Sequence, residues 1–173
     1  IGTVQPRKNY IRLIQALHQL GNDFQRINLV IAGGKGWLDT PIYATVQALG
    51  MSERVRFTGF VDDEDIPALY SGAILTAYPS LYEGFGFPIA ESMACGTPVI
   101  TSNLSSMPEV AGEAALMIDP YDTDALAEGL RVLLTDVRLR ATLVERGYQQ
   151  VRQFTWQKTA HHLREIYDRV LSS

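Results

Sequence analysis

The strongest constraint on this chain is a repeated alternation. Short, continuously apolar segments occur at 27–32 (INLVIA), 55–58 (VRFT), 73–78 (AILTAY), 99–101 (VIT) and 114–118 (AALMI), and each is followed by a stretch with helical spacing. The opening residues 1–4 (IGTV) read as the inner half of a further strand. Asn9 stands where it can cap a helix whose apolar positions are Ile11, Leu13, Ile14, Leu17 and Leu20, ended near Gly21. A second helix over 41–49 stops at Gly50, and Asp62 or Asp63 can cap a third running to about Tyr70. A fourth runs from Pro88 to Cys95 before Gly96, and Ser106 can cap a short one to about Ala111. Beyond residue 118 the spacing predicts only helices, at about 123–134, 137–152 and 156–171. Short apolar strands joined by helical crossovers belong to parallel sheets covered on both faces. The expected fold is therefore α/β, a doubly wound Rossmann-like parallel sheet of about six strands with extra C-terminal helices. Those helices are expected to wrap the sheet or reach towards a neighbouring domain. No repeat or linker divides the chain, so residues 1–173 are read as one domain.

Composition narrows the function classes. The 173 residues suffice for one sizeable core. Fifteen Lys and Arg against nineteen Asp and Glu leave a net charge of −4, which argues against a nucleic-acid-binding surface. A single cysteine can form neither an internal disulfide nor a Cys-rich zinc site, and fits a reducing compartment. No apolar run approaches the roughly 20 residues needed to cross a bilayer. The first residues carry no signal-peptide pattern. They read as starting within a strand, so the expectation is a piece of a longer protein that is cytoplasmic, with any membrane association through the full-length protein.

In open α/β sheets ligands sit beyond the carboxyl ends of the strands. Here those loops are 5–8, 33–39, 59–62, 79–87 and 102–106, and the unusual residues fall in them. The densest run is Glu83-Gly84-Phe85-Gly86-Phe87-Pro88-Ile89-Ala90-Glu91. Pro88 suits a first helical turn, where its missing N–H would be unpaired in any case. Gly84 and Gly86 let the backbone approach a ligand closely. The N–H groups opening the following helix make an anion site suited to a diphosphate. Glu83 precedes this turn, and Glu91 is read in the first turn of the helix. Carboxylates beside an anion site are poor phosphate ligands but good acceptors for hydroxyl groups, so a sugar and a ribose are the natural partners. A dipole-complementing Glu91 and a solvated Glu83 form the plainer reading, which the glycines, the proline and the loop position outweigh.

This stretch resembles the donor-site motif of retaining GT-B glycosyltransferases, in particular the family-four group with its two glutamates eight positions apart, here Glu83 and Glu91. The flanks, Pro79-Ser80 and Ser92-Met93-Ala94-Cys95-Gly96-Thr97-Pro98-Val99-Ile100, resemble the family too. So do Gly2-Thr3-Val4-Gln5-Pro6-Arg7-Lys8-Asn9, Ile31-Ala32-Gly33-Gly34 and Val55-Arg56-Phe57-Thr58-Gly59-Phe60-Val61. The resemblance covers nearly the whole chain in order.

It implies the C-terminal, nucleotide-sugar-binding domain of an enzyme that moves a hexose to an acceptor hydroxyl with retention of configuration. The acceptor domain would precede Ile1. Lys8 would contact the donor diphosphate, with Arg7 nearby. Glu83 would hold hydroxyls of the transferred sugar, and the backbone of Phe85, Gly86 and Phe87 would meet sugar and phosphate. Glu91 would bind the ribose, while Gly33, Gly34, Phe60 and Val61 surround the base. Glu83 and Lys8 are the catalytic candidates, Lys8 and the helix start stabilising charge on the leaving diphosphate. Many relatives have an arginine where this chain has Thr3, which leaves Arg7 as its substitute. The Pro6-Arg7-Lys8-Asn9 variant looks like those of mannosyltransferases in surface-polysaccharide synthesis, which favours GDP-mannose as donor. The acceptor would be a glycan or a lipid-linked sugar. No cofactor or metal is expected.

Other features take plainer readings. Asp62-Asp63-Glu64-Asp65 fits a helix start better than a metal site. Cys95, His18, His161 and His162 lack catalytic or metal-like spacing, and Trp37 and Trp156 are expected to pack, with the edge of the base pocket as the alternative for Trp37. The basic residues of the last three helices read as solvated faces, with another domain or an anionic membrane surface as the alternative partner. A free-standing donor-binding subunit is the rival function. A dinucleotide oxidoreductase would need G-x-G-x-x-G after its first strand, which Gly2 does not begin.

Overall fold

The computed structural model describes residues 1–172; the last residue of the expected domain, 173, lies outside them. Five strands form, all pairing in parallel: β1 (Leu29–Ala32) with β2 (Val55–Gly59), and β3 (Thr76–Tyr78) with β4 (Val99–Ser102), which pairs in turn with β5 (Ala115–Ile118). The helices between them are α1 (Tyr10–Gln19), α2 (Thr40–Ala48), α3 (Ile66–Ser71), α4 (Phe87–Ala94) and α5 (Met107–Ala111). Three more follow, α6 (Thr123–Thr135), α7 (Val137–Val151) and α8 (Trp156–Leu171).

Burial on both faces is visible at β4, where all four residues are buried. Successive strand side chains point to opposite faces. Ile100 accordingly joins one core with Leu13, Ile14, Ile31, Ile42, Leu126 and Leu133, while Val99 joins the other with Ile89, Met93, Met107 and Val110. The first core lies under α1, α2 and α6; the second lies under α4 and α5, with α7 against α4.

Two expectations need correction, and a third divides. The sheet is not a continuous six-stranded one: it divides into β1–β2 and β3–β4–β5. Residues 1–4 do run parallel to β1, with Gly2 N–H donating to Ala32 O (2.8 Å) and Val4 N–H to Gly34 O (2.9 Å). They overlap only its carboxyl end, though, and leave one isolated bridge, Val4 to Lys35. An apolar groove lined by Ile1, Leu29, Ala32, Leu75 and Ala77 separates the two sheets. The last helices also divide. α6 packs on α1 and α7 on α4, whereas α8 buries no residue and does not wrap the sheet. Finally, Trp37 and Trp156 are exposed rather than packed.

Candidate functional site

The expected cap at Asn9 turns out to be a clamp. Pro6–Lys8 form a single 3-10 turn that ends in Asn9, whose backbone is left-handed (φ 61°). Its side chain makes no capping bond to α1. Instead Nδ2 donates to Pro79 O (3.1 Å) and Pro120 O (2.8 Å), and Leu81 N–H donates to Arg7 O (2.8 Å). An amide can donate where a carboxylate or hydroxyl cap could only accept or share. The loops after residues 1–4, β3 and β5 are thereby fastened at one point, and Arg7 and Lys8 are brought against Glu83.

Lys8 and Glu83 are both buried. The Lys8 ammonium lies 2.8 Å from Glu83 Oε1, donates to the Tyr78 hydroxyl at 2.7 Å and sits 4.6 Å from the centre of the Tyr78 ring. Arg7 pairs with Glu83 Oε2 and donates to Tyr82 O (2.9 Å), its side chain remaining 40% exposed. Burial alone would raise the Glu83 carboxyl, but Arg7, Lys8 and Tyr78 outweigh it and hold the group at about 2. Burial also pulls the Lys8 ammonium below its usual range, against the opposing attraction of Glu83. The site is therefore a desolvated carboxylate neutralised by one buried and one half-open cation.

Backbone positions are held as firmly. Ser105 Oγ donates to Glu83 O (2.7 Å) and accepts from Glu83 N–H (3.3 Å), while Ser106 Oγ lies 3.0 Å from Glu83 O and 2.9 Å from Phe85 O. Ser106 was expected to cap α5, but its hydroxyl is engaged by this loop instead. Gly86 opens α4 in a left-handed conformation (φ 99°), and a β-carbon there would press on Ile89 Cδ1 at 3.3 Å. The Phe85 ring packs edge-on to Phe154 at 5.3 Å, and Phe87 is exposed. The amino end of α4, with its partial positive charge, thus opens at this loop.

Gly33 and Gly34 follow β1. Gly33 N–H donates to Gly59 O (2.8 Å), which joins this loop to the one carrying Phe60 and Val61. A β-carbon on Gly33 would collide with the Gly2 carbonyl, and one on Gly2 would stand 3.1 Å from Lys8 Nζ. A continuous row of contacts therefore runs from Gly33 through Gly2 to Lys8 and Glu83. Phe60 is 78% exposed at its far end. Thr3 is exposed, and the arginine beside the carboxylate is Arg7.

Glu91 is not in the first turn of α4. It is the fifth residue, exposed, and accepts a hydrogen bond from the Tyr70 hydroxyl on Oε2 at 2.8 Å. Beyond the first turn the dipole is weak, so dipole complementation does not account for its placement. Reading the sequence missed Tyr70, Tyr78, Ser105 and Ser106. Tyr78 carried a usable signal, a hydroxyl at the carboxyl end of an apolar strand; the other three depend on distant pairings. Among the described residues no cluster of three or more His, Cys, Asp or Glu could hold a metal ion.

Comparison with known proteins shows the family of the chain. Residues 1–150 match the family described as Glycosyl transferases group 1. The chain is 42% identical over 158 residues to the O-antigen chain mannosyltransferase B of Escherichia coli, covering 91% of this chain and 42% of that one. Sucrose-phosphate synthase from Thermosynechococcus elongatus superposes with a TM-score of 0.86 at 29% identity, over 99% of this chain and 45% of that one. Anabaena Alr3699/HepE, solved with UDP and glucose, shares the fold with a TM-score of 0.82 at 24% identity, over 99% and 48%. This chain spans less than half the length of each. With its parallel α/β architecture, its glycine-rich loop at the start of α4 and a match over most of its length, the chain belongs to the glycosyl transferases group 1 family.

Proposed function

We propose that this chain is the C-terminal, donor-binding domain of a retaining GT-B glycosyltransferase, its acceptor-binding domain lying on the amino side. The whole enzyme moves a hexose, mannose first among candidates, from a nucleoside diphosphate sugar to a hydroxyl of a glycan or lipid-linked acceptor. The observation that carries this reading is the buried Lys8–Glu83 pair, with Arg7 at its open side and the start of α4 beside it. Preorganised cations and helix N–H groups suit the charge that builds on a departing diphosphate. The Escherichia coli relative is named for mannose transfer in O-antigen synthesis, which supports mannose and polysaccharide synthesis here.

The geometry refines the expected roles. Lys8 is enclosed and keeps Glu83 in place. Arg7 is half exposed, so an incoming diphosphate draws Arg7 away from Glu83 Oε2. The freed oxygen then accepts a hydroxyl of the sugar. Glu91 takes the ribose hydroxyls, and Gly33, Gly34, Phe60 and Val61 flank the base. The reaction in this reading uses no metal, and the enzyme works in the cytoplasm with any membrane contact made by the full-length protein.

Calorimetry with GDP, UDP, ADP and their nucleosides tests this. At least one diphosphate should bind, and binding should persist in a chelator. Arg7→Ala should weaken diphosphate far more than nucleoside, with the difference shrinking as salt rises. Absence of heat from all three diphosphates at millimolar concentration would sink the donor-domain reading.

A further inference from the structure

Tyr70 lies outside every loop that the donor reading uses. It is the fifth residue of α3, 2% exposed, on an element preceding β3. Its hydroxyl is nevertheless committed to Glu91 Oε2 at 2.8 Å. The ring is held by its burial, and the backbone that carries it is pinned where the Tyr70 carbonyl accepts from Thr97 Oγ1 (2.7 Å). Thr97 is fastened in turn to the end of α4: its N–H donates to Ser92 O (2.9 Å), and Ser92 Oγ donates to Thr76 Oγ1 (2.8 Å). Burial and the facing Glu91 carboxylate push the Tyr70 phenol far above its ordinary range, so it remains an O–H donor.

We propose that Tyr70 is a positioning residue that sets the preference of this site for a ribose diol. The inference rests on the reading of Glu91 as the ribose ligand. An exposed glutamate samples several rotamers, and ordering it costs binding energy. Tyr70 takes one proton-accepting direction of Oε2 and selects the rotamer. Oε1 and the second lone pair of Oε2 then face two adjacent hydroxyl groups, a geometry that a 2′-deoxyribose satisfies by half. Tyr70 touches no substrate in this arrangement; it acts through Glu91.

The test is calorimetry of the parent chain, Tyr70→Phe and Glu91→Ala, each with the best-binding nucleoside diphosphate and its 2′-deoxy counterpart. Phenylalanine keeps the ring, so the thermal midpoint serves as a check on packing. The parent should favour the ribose form. Tyr70→Phe should lose about three- to tenfold in affinity for that form, the scale of one side chain left to be ordered by the ligand. Its affinity for the deoxy form should fall less, so that the ribose preference shrinks. Adding Tyr70→Phe to Glu91→Ala should change nothing further, since the two act as one unit. A Tyr70→Phe variant with the full ribose preference overturns the role of Tyr70 and leaves Glu91 as ligand. A parent chain that binds both forms equally overturns both.

Discussion

At the residue scale the centre of interest is Glu83, a carboxylate held by two cations in a poorly hydrated place. Its folded-state value of about 2 lies below the ordinary 4.5. The folded protein therefore binds this proton less readily than the unfolded chain. The stability it contributes is complete above about pH 4.5 and is lost as pH falls towards 2. Glu83→Gln should destabilise the protein at pH 7 by on the order of 3 kcal/mol, because Lys8 is left buried without its counter-charge. The gap between variant and parent should close as pH is lowered through that window. Urea titrations of both proteins from pH 7 to pH 2 measure it, and a gap independent of pH would show that the ion cluster is not the source. Gln also releases Arg7, so the same variant should bind diphosphate no more weakly than the parent while losing sugar-dependent affinity.

At the scale of elements, the loop that opens α4 depends on the loop that opens α5. Ser105 and Ser106 hold the carbonyls of Glu83 and Phe85. Each such bond contributes about 1 kcal/mol net. Ser105→Ala combined with Ser106→Ala should speed hydrogen exchange across 83–87 by about an order of magnitude or more while leaving β4 protected. Unchanged exchange in that loop would mean α4 alone fixes it. Helix caps are a separate and simpler matter. Asp136 accepts from Leu139 N–H at 2.8 Å between α6 and α7. Asp136→Ala should lower stability by about 1 kcal/mol in denaturant unfolding, with diphosphate affinity untouched.

For the whole molecule, the two cores meet across β4, and α8 belongs to neither. Ending the chain after Thr155 should therefore move the thermal midpoint by no more than about 2 °C, since little apolar surface returns to water. Calorimetry of the shortened chain checks this; a fall of 10 °C would show that α8 supports the core. Trp156, Leu163, Ile166 and Tyr167 make an exposed apolar stripe along this helix. Its removal should improve solubility.

The alternation of apolar segments and helical spacing was enough to determine the α/β class, the parallel pairing and the side of the sheet where Glu83 and Lys8 would lie. Periodicity reports which face of each element is buried, and parallel strands leave little choice of connection. Pro88 and Gly86 likewise marked the start of α4, because their backbone restrictions are local. The partnerships were decided by tertiary structure. Lys8 meets Tyr78 and Glu83 across 70 and more residues, Tyr70 reaches Glu91 from another helix, and Asn9 gave up capping to join three loops. A polar side chain near a helix start has local and distant partners of similar strength, and only the folded chain selects between them. The split of the sheet has the same origin: residues 1–4 carry strand-like composition, but a strand exists only over the length that a neighbour can pair.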